Sequence, residues 1–400
     1  MSVTATPDAP AGPGLRLRRA RAAVAALFLT NGALFANVVP RYPELKDGLN
    51  LSNALLGTAL AAGPLGALTG DLFASAVIRL IRSSRAGAYG ISVVALGFLL
   101  VALAPSWWTL AAALFLAGAA DAVVDVAQNA HGLRVQRLYG RSIVNSFHGV
   151  WSIGAVLGGL MGSAAAGLGI PLPVHLGISG AVFSGVALVA YRFMLPGPDH
   201  TDRPTAGAGH RAVRSTAVRM LAALGLLAIF GSLVEDAGAS WGALFLTEDV
   251  GATAATAGLA FVALQVAMTA GRLLGDRAVD RFGQRTVTRT GGALAAAGMG
   301  FALAFPSVGS ALAGFALAGL GTATLVPAAM HTADELPGLP PGAGLTIVSW
   351  VLRVGFLASP PVVGLVADHS SLRVGLLSVV IAGAGTLFLG RVLLDRPSPA

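Results

Sequence analysis

The chain alternates long apolar runs with short polar or Pro/Gly-marked breaks. Twelve such runs can be read, over roughly 21–40, 53–78, 86–104, 108–131, 143–167, 173–195, 218–246, 253–276, 286–305, 309–331, 343–367 and 372–394. A helix crossing a bilayer needs about 20 largely apolar residues, so the pattern predicts twelve membrane-spanning helices joined by short loops. Arg16, Arg18, Arg19 and Arg21 precede the first run, as in the charged start of a signal peptide. That run is about 19 residues long, contains Asn31 and has no small-residue cleavage pattern, so it reads as the first helix. Residues 1–20 are expected to form a disordered tail, and 395–400 a second tail.

Composition makes the same point from another side. Of the 400 residues, 55% are apolar and 11% charged, with a mean hydropathy of +0.76. A soluble domain carries about 25% charged residues to cover its surface. This chain cannot clothe a water-facing globule, and an all-α polytopic membrane protein is the class that fits. There is no cysteine, which excludes disulfides, thiolate metal sites and thiol catalysis. The net charge of +8 would point to nucleic acid if the basic residues formed one surface. They do not: 22 of the 26 Lys and Arg residues fall in the first tail, the last tail and alternate loops, while Arg41, Lys46 and Arg373 lie on the other side and Arg353 inside a span. That bias follows the positive-inside rule and predicts cytoplasmic N- and C-termini in a cell inner (plasma) membrane. The bilayer, not nucleic acid, is the expected macroscopic partner.

Displacing the sequence against itself by 200 or 201 positions aligns Leu45-Lys-Asp with Leu246-Thr-Glu-Asp, Arg85 with Arg285, His131 with His331 and Gly154 with Gly355. The longest polar connection, 196–217, lies between the halves. The expected organisation is a six-helix bundle over 21–195, a cytoplasmic linker over 196–217 and a second bundle over 218–394. Parallel repeats of this kind place a solute site near the bilayer midplane between the halves.

The segment Gly271-Arg-Leu-Leu-Gly-Asp276-Arg-Ala-Val-Asp280-Arg281-Phe-Gly283-Gln-Arg285 resembles the Gly/Asp-Arg-x-Gly-x-Arg loop of the major facilitator superfamily, with Asp276 where that pattern has its first Gly. Its first-half counterpart, Ser75 to Arg85, keeps arginines but lacks the Asp and Gly. Asp121-Ala-Val-Val-Asp125, Gln128-Asn129 and Ser146-Phe-His148-Gly-Val-Trp151 resemble the branch that includes fucose-permease-like sugar transporters. Gly154-Ala-Val-Leu-Gly158-Gly159 is similar to an antiporter signature, with Ala155 replacing its Pro. The resemblance implies twelve helices in two pseudo-symmetric bundles, alternating access, a cavity lined by helices one, four, seven and ten, and a cytoplasmic gate at Asp276, Asp280, Arg281 and Arg285.

A charge at the bilayer centre costs roughly 2.5–3.5 kcal/mol, so ionisable residues there need partners or water. Asp121, Asp125 and Gln128 share one helix face at i, i+4, i+7 spacing, with Asn129 beside them. Asn31 and Asn37 on the first helix, and Glu235, Asp236 and Trp241 on the seventh, complete the candidate site for solute and proton. Carboxylate, amide and indole groups together suit a polyhydroxylated ligand. Arg353 lies about 16 Å from its cytoplasmic end and Asp71 on helix two about 12 Å in; the family resemblance implies that helices two and eleven meet across the halves, so the two are expected to pair. Asp125 is the competing partner, and binding of an anionic solute is the other role open to Arg353. His148 and His331 read as structural or proton-relaying.

No phosphate-cradling Gly-x-x-x-x-Gly-Lys-Ser/Thr loop, zinc motif or nucleophile elbow occurs. No enzymatic activity, metal or cofactor is expected. The reading is a monomeric secondary transporter of a small polar solute, sugar-like or another small metabolite, with protons as the coupling ion. A proton-coupled drug or metabolite efflux antiporter is the alternative, and a non-transporting membrane sensor the more distant one.

Overall fold

A computed structural model describes residues 14–140, 143–197, 215–336, 339 and 343–393. The predicted runs become twelve rods. α1 comprises a helix Leu15–Val38, a 3-10 turn Val39–Arg41 and a helix Tyr42–Gly48. The next five are α2 (Asn53–Ile81), α3 (Ser83–Ala102), α4 (Trp107–Tyr139), α5 (Val144–Gly167) and α6 (Leu172–Tyr191). α7 runs Ser215–Asp236, through a π turn Ala237–Trp241, to Gly242–Glu248. α8 (Ala254–Phe282) has a break at Gly258, and α9 is Gln284–Ala304. α10 (Val308–Asp334) is interrupted before Leu325, where Pro327 cannot donate into the preceding turn. α11 (Ala343–His369) and α12 (Leu372–Val392) complete the set. No strand is present among the described residues.

Eleven of these rods are long and apolar enough to cross a membrane. α9 falls outside that set because Gln284, Arg285, Thr288 and Arg289 occupy its first turns. Leu80, Ile381 and Phe388 are among the many large apolar side chains left exposed. In water such a surface would aggregate; against lipid tails it is the expected finish, because each backbone polar group is satisfied within its own helix. The chain is an all-α polytopic membrane protein.

Start and turn signals recur 201 residues apart. Ser52 caps α2 and Thr253 caps α8; Ser106 and Ser307 each form a capping box at α4 and α10. Arg82 and Gly283 hold the same left-handed turn, at φ 75° and 83°. Packing repeats as well: α1 on α5, α2 on α4 and α3 on α6 are matched by α7 on α11, α8 on α10 and α9 on α12. The most extensive contacts between the sets are α2 with α11 and α5 with α8, and the end of α1 also meets α7. At the first of these, a Cβ on Gly57 would strike the backbone carbonyl of Pro360, and one on Gly364 that of Asn53. Glycine there lets helix backbones approach as no side-chain-bearing residue could.

Several sequence expectations change. The tail expected over 1–20 is helical from Leu15 onward, and residues 1–13 lie outside the described set. The expected linker over 196–217 ends early, since α7 begins at Ser215; residues 198–214 and the tail 395–400 are outside the described residues. α1 does not stop near 40. Pro40 and Pro43 sit in the first turns of short helices, where a missing N–H costs nothing, so the rod bends and continues to Gly48.

Candidate functional site

One end of the molecule bears Leu15 and the arginine-rich turns after α2, α6 and α8; the other bears Lys46, Glu248 and Asp368. At the Arg-poor end the two sets of helices are closed on one another. Lys46 Nζ lies 2.5 Å from Glu248 Oε1, bridging α1 and α7. Asp368 at the end of α11 accepts the N–H groups of Asn53 (2.8 Å) and Ala54 (2.9 Å), capping α2 from the opposite set. Beneath them Val39, Trp241, Leu244 and Phe245 are fully buried.

Just inside sits a buried polar knot. Arg41 is 1% exposed. It donates to both Glu44 oxygens at 2.6 Å, to the Ile170 carbonyl at 2.7 Å and to His175 Nδ1 at 3.1 Å. Arginine only donates, so Nδ1 accepts, and Nε2 carries the proton given to Asn37 Oδ1 at 2.7 Å. Arg41, expected in an outer loop, is therefore a structural cation of the closed end. Asn37 serves this knot rather than a cavity.

At mid-height Asn31 joins three helices. Its Nδ2 donates to Asp121 Oδ1 on α4 at 2.5 Å, and its Oδ1 accepts from Trp151 Nε1 on α5 at 2.7 Å. Asp121 lines a cavity of about 410 Å3 together with Phe35 and Tyr42 of α1, Pro64 of α2, Phe98 of α3, and Arg353 and Phe356 of α11. This space is lined by α1, α2, α3, α4 and α11 and lies at the α2–α11 seam, so of the expected lining helices it draws on one and four. Arg353 Nη1 donates to Asp71 Oδ2 across that seam. Asp125, the competing partner, is occupied on its own helix by Asn129 Nδ2 (3.0 Å) and Gln128 Nε2 (3.3 Å). Asp71, Asp121 and Asp125 lie within electrostatic reach of one another.

Other candidates fall elsewhere. Gln128 is fully buried, not cavity-facing. Glu235 and Asp236 are adjacent on a helix, about 100° apart, so both cannot face one space. Glu235 stands 3.7 Å from Arg272 on α8. Asp236 is buried, takes the Ser240 hydroxyl at 2.6 Å and faces Ser359 of α11. Trp241 is fully buried and touches the backbone at Gly364, so it plugs the closed end instead of lining the cavity. Its displacement follows from the π turn, which inserts an extra residue and rotates everything beyond Asp236.

At the Arg-rich end Gly283 makes the α8–α9 turn, and Arg285 donates to the Leu393 carbonyl at 3.2 and 3.3 Å. Arg281 rests on the Phe282 ring at 5.4 Å. Asp276 and Asp280, the acids of the expected gate, are exposed. Exposed His148 packs edge-on to Phe28, and His331 lies 3.6 Å from Glu335.

Sequence reasoning quoted Trp151 only within a family motif and gave no site role to it or to Arg272, Glu248 and Asp368. One signal was available. Glu248 is the counterpart of Asp47, next to Lys46, in the aligned repeats, and near-equivalent positions meet where a pseudo-twofold axis passes between halves.

Residues 226–400 match the family profile described as Major Facilitator Superfamily. The chain is 30% identical over 381 residues to "Membrane protein MosC" of Rhizobium meliloti, covering 94% of this chain and 92% of that one. It belongs to the major facilitator superfamily. Among solved structures, nucleoside transporter NupG superposes with a TM-score of 0.73 at 12% identity, covering 94% of this chain and 98% of that one. A D-xylose-proton symporter gives 0.69 at 14% identity, with 94% and 96% covered. These two show a shared fold. The chain is thus a multi-pass membrane transporter, from a family of transporters and not enzymes.

Proposed function

We propose that this transporter moves a small polar, hydroxyl-bearing solute across the inner membrane together with protons, the halves rocking about the α2–α11 and α5–α8 seams. The observation that carries this reading is the 410 Å3 cavity, whose walls come from both halves and hold one acid, Asp121, and one base, Arg353. Its size falls in the range of small-molecule sites, about 300–1,000 Å3. Asn31 positions Asp121 while leaving the carboxylate its second oxygen, so a hydroxyl or a proton has an acceptor waiting. With the Arg-rich end taken as cytoplasmic by the positive-inside rule, the closed Arg-poor end supports an inward-facing state of a monomeric carrier.

The apolar walls, with Phe35, Phe98, Leu114 and Phe356, favour a second reading: efflux of a compound with a large apolar face, exchanged for protons. The two separate in one experiment. Purified protein is screened for binding against sugars, other polar metabolites and lipophilic cations, and each hit is tested for solute-driven proton flux in liposomes. Polar hits moving with protons support the first reading. Binding of lipophilic cations alone, moving against protons, replaces it with the second.

A further inference from the structure

Five arginines surround a bowl at the Arg-rich end of the first six helices. Arg16, Arg19, Arg82, Arg85 and Arg192 line a space of about 640 Å3 that also presents the Tyr191 hydroxyl and has no carboxylate in its wall. Arg85 Nε donates to that hydroxyl at 3.3 Å. None of the five forms an ion pair among the described residues. The second half disposes of its arginines differently: Arg285 and Arg289 donate to the carbonyls of Leu393 and Leu387 at the end of α12.

The bowl opens into an apolar groove. Between α1 and α6 a space of about 720 Å3 is walled by Ala22, Ala23, Ala26, Gly185, Val186 and Val189. It shares Arg19 and Phe193 with the bowl, so cationic head and apolar channel are continuous. Guanidinium groups fork onto phosphate oxygens, and a leaflet rich in anionic lipid concentrates such ligands at a basic surface. A free phosphate accounts for the bowl and leaves the groove unexplained. A phospholipid accounts for both.

We propose that this site binds an anionic phospholipid, with its phosphate among the arginines and an acyl chain between α1 and α6. The claim is independent of the solute carried and is tested without transport. Purified protein is exposed to phosphatidylglycerol or phosphatidylcholine of the same acyl chains, and retained lipid is counted by native mass spectrometry, with inorganic phosphate as competitor. Phosphatidylglycerol is expected to be retained over phosphatidylcholine and to resist millimolar phosphate. Arg19→Gln, Arg82→Gln and Arg192→Gln should each lower its retention about fivefold, the worth of one basic residue at an anionic surface. Gly185→Leu supplies the second variant: a Cβ there meets nothing within 4 Å, so the fold tolerates it while the new side chain fills the groove. It should also reduce retention, with helical content unchanged. Equal retention of the two lipids by the unmodified protein overturns the proposal. So does a Gly185→Leu variant that keeps its phosphatidylglycerol while free phosphate displaces it, because that describes a soluble-anion site.

Discussion

Arg353 on α11 donates to Asp71 on α2, and each stands ten residues from the Arg-rich end of its helix. The pair is one of the few charged contacts between the halves, and it borders the cavity that holds Asp121. Removing one partner leaves the other charge uncompensated in a partly buried seam, which costs more than the pair itself contributes. Asp71→Asn and Arg353→Gln should each cut transport about tenfold or more, equivalent to ~1.4 kcal/mol. Asp71→Arg combined with Arg353→Asp should recover a substantial part. A double variant no better than the singles, measured as solute uptake into liposomes, would remove the pairing from the mechanism.

The Arg-poor end is held by few polar contacts, so weakening them should open it. Asp368→Ala deletes a cap that the opposite half provides for α2, worth about 1 kcal/mol. Lys46→Ala deletes a part-exposed ion pair worth about 0–1 kcal/mol. The chain has no cysteine, so a single cysteine placed at Leu244 reports access cleanly. The double variant should label several-fold faster with a polar maleimide than the parent. Unchanged labelling would mean that apolar packing alone keeps this end shut.

Asn31 fixes two neighbours at once through one amide. Asn31→Leu should therefore lower both solute binding and proton flux. Trp151→Phe keeps the ring but loses the N–H and should weaken binding by about the value of one hydrogen bond, 0.5–1.5 kcal/mol. Asp121→Asn should leave solute exchange across the membrane but abolish the accompanying proton movement. Full proton flux in Asp121→Asn would exclude this carboxylate as the coupling site.

Arg82 occupies a conformation, φ 75° and ψ 152°, that glycine adopts without strain and that Gly283 supplies in the second half. Such a backbone costs on the order of 1–3 kcal/mol for a residue with a side chain. Arg82→Gly should raise the thermal unfolding midpoint in detergent. An unchanged or lower midpoint would show that the arginine's contacts outweigh its backbone strain.

The twelve rods were legible because bilayer thickness imposes a run length that no loop imitates, and α9 was legible despite its polar start because its neighbours set the spacing. Asp71 and Arg353 could be matched from their depths, each counted from the same membrane surface, together with the meeting of helices two and eleven that the family resemblance implies. Trp241 could not be placed, since the π turn that rotates it has no sequence signature. Glu235 and Asp236 were grouped by composition, whereas helix geometry sends them to different neighbours. Asp368 looked like the end of an apolar run, and only the crossing of α11 over the start of α2 makes it a cap.

Alternation between two openings is the central claim, and paired spin-label distances in one protein test it most directly. One pair, at Asp47 and Ala254, spans the Arg-poor end; the other, at Arg137 and Glu335, spans the Arg-rich end. All four positions are exposed. In the parent the first distance should be short and the second long. In the variant lacking the Lys46 and Asp368 contacts a second population should appear with the first distance lengthened and the second shortened. Distances that stay fixed, or that lengthen together at both ends, would contradict alternating access in this chain.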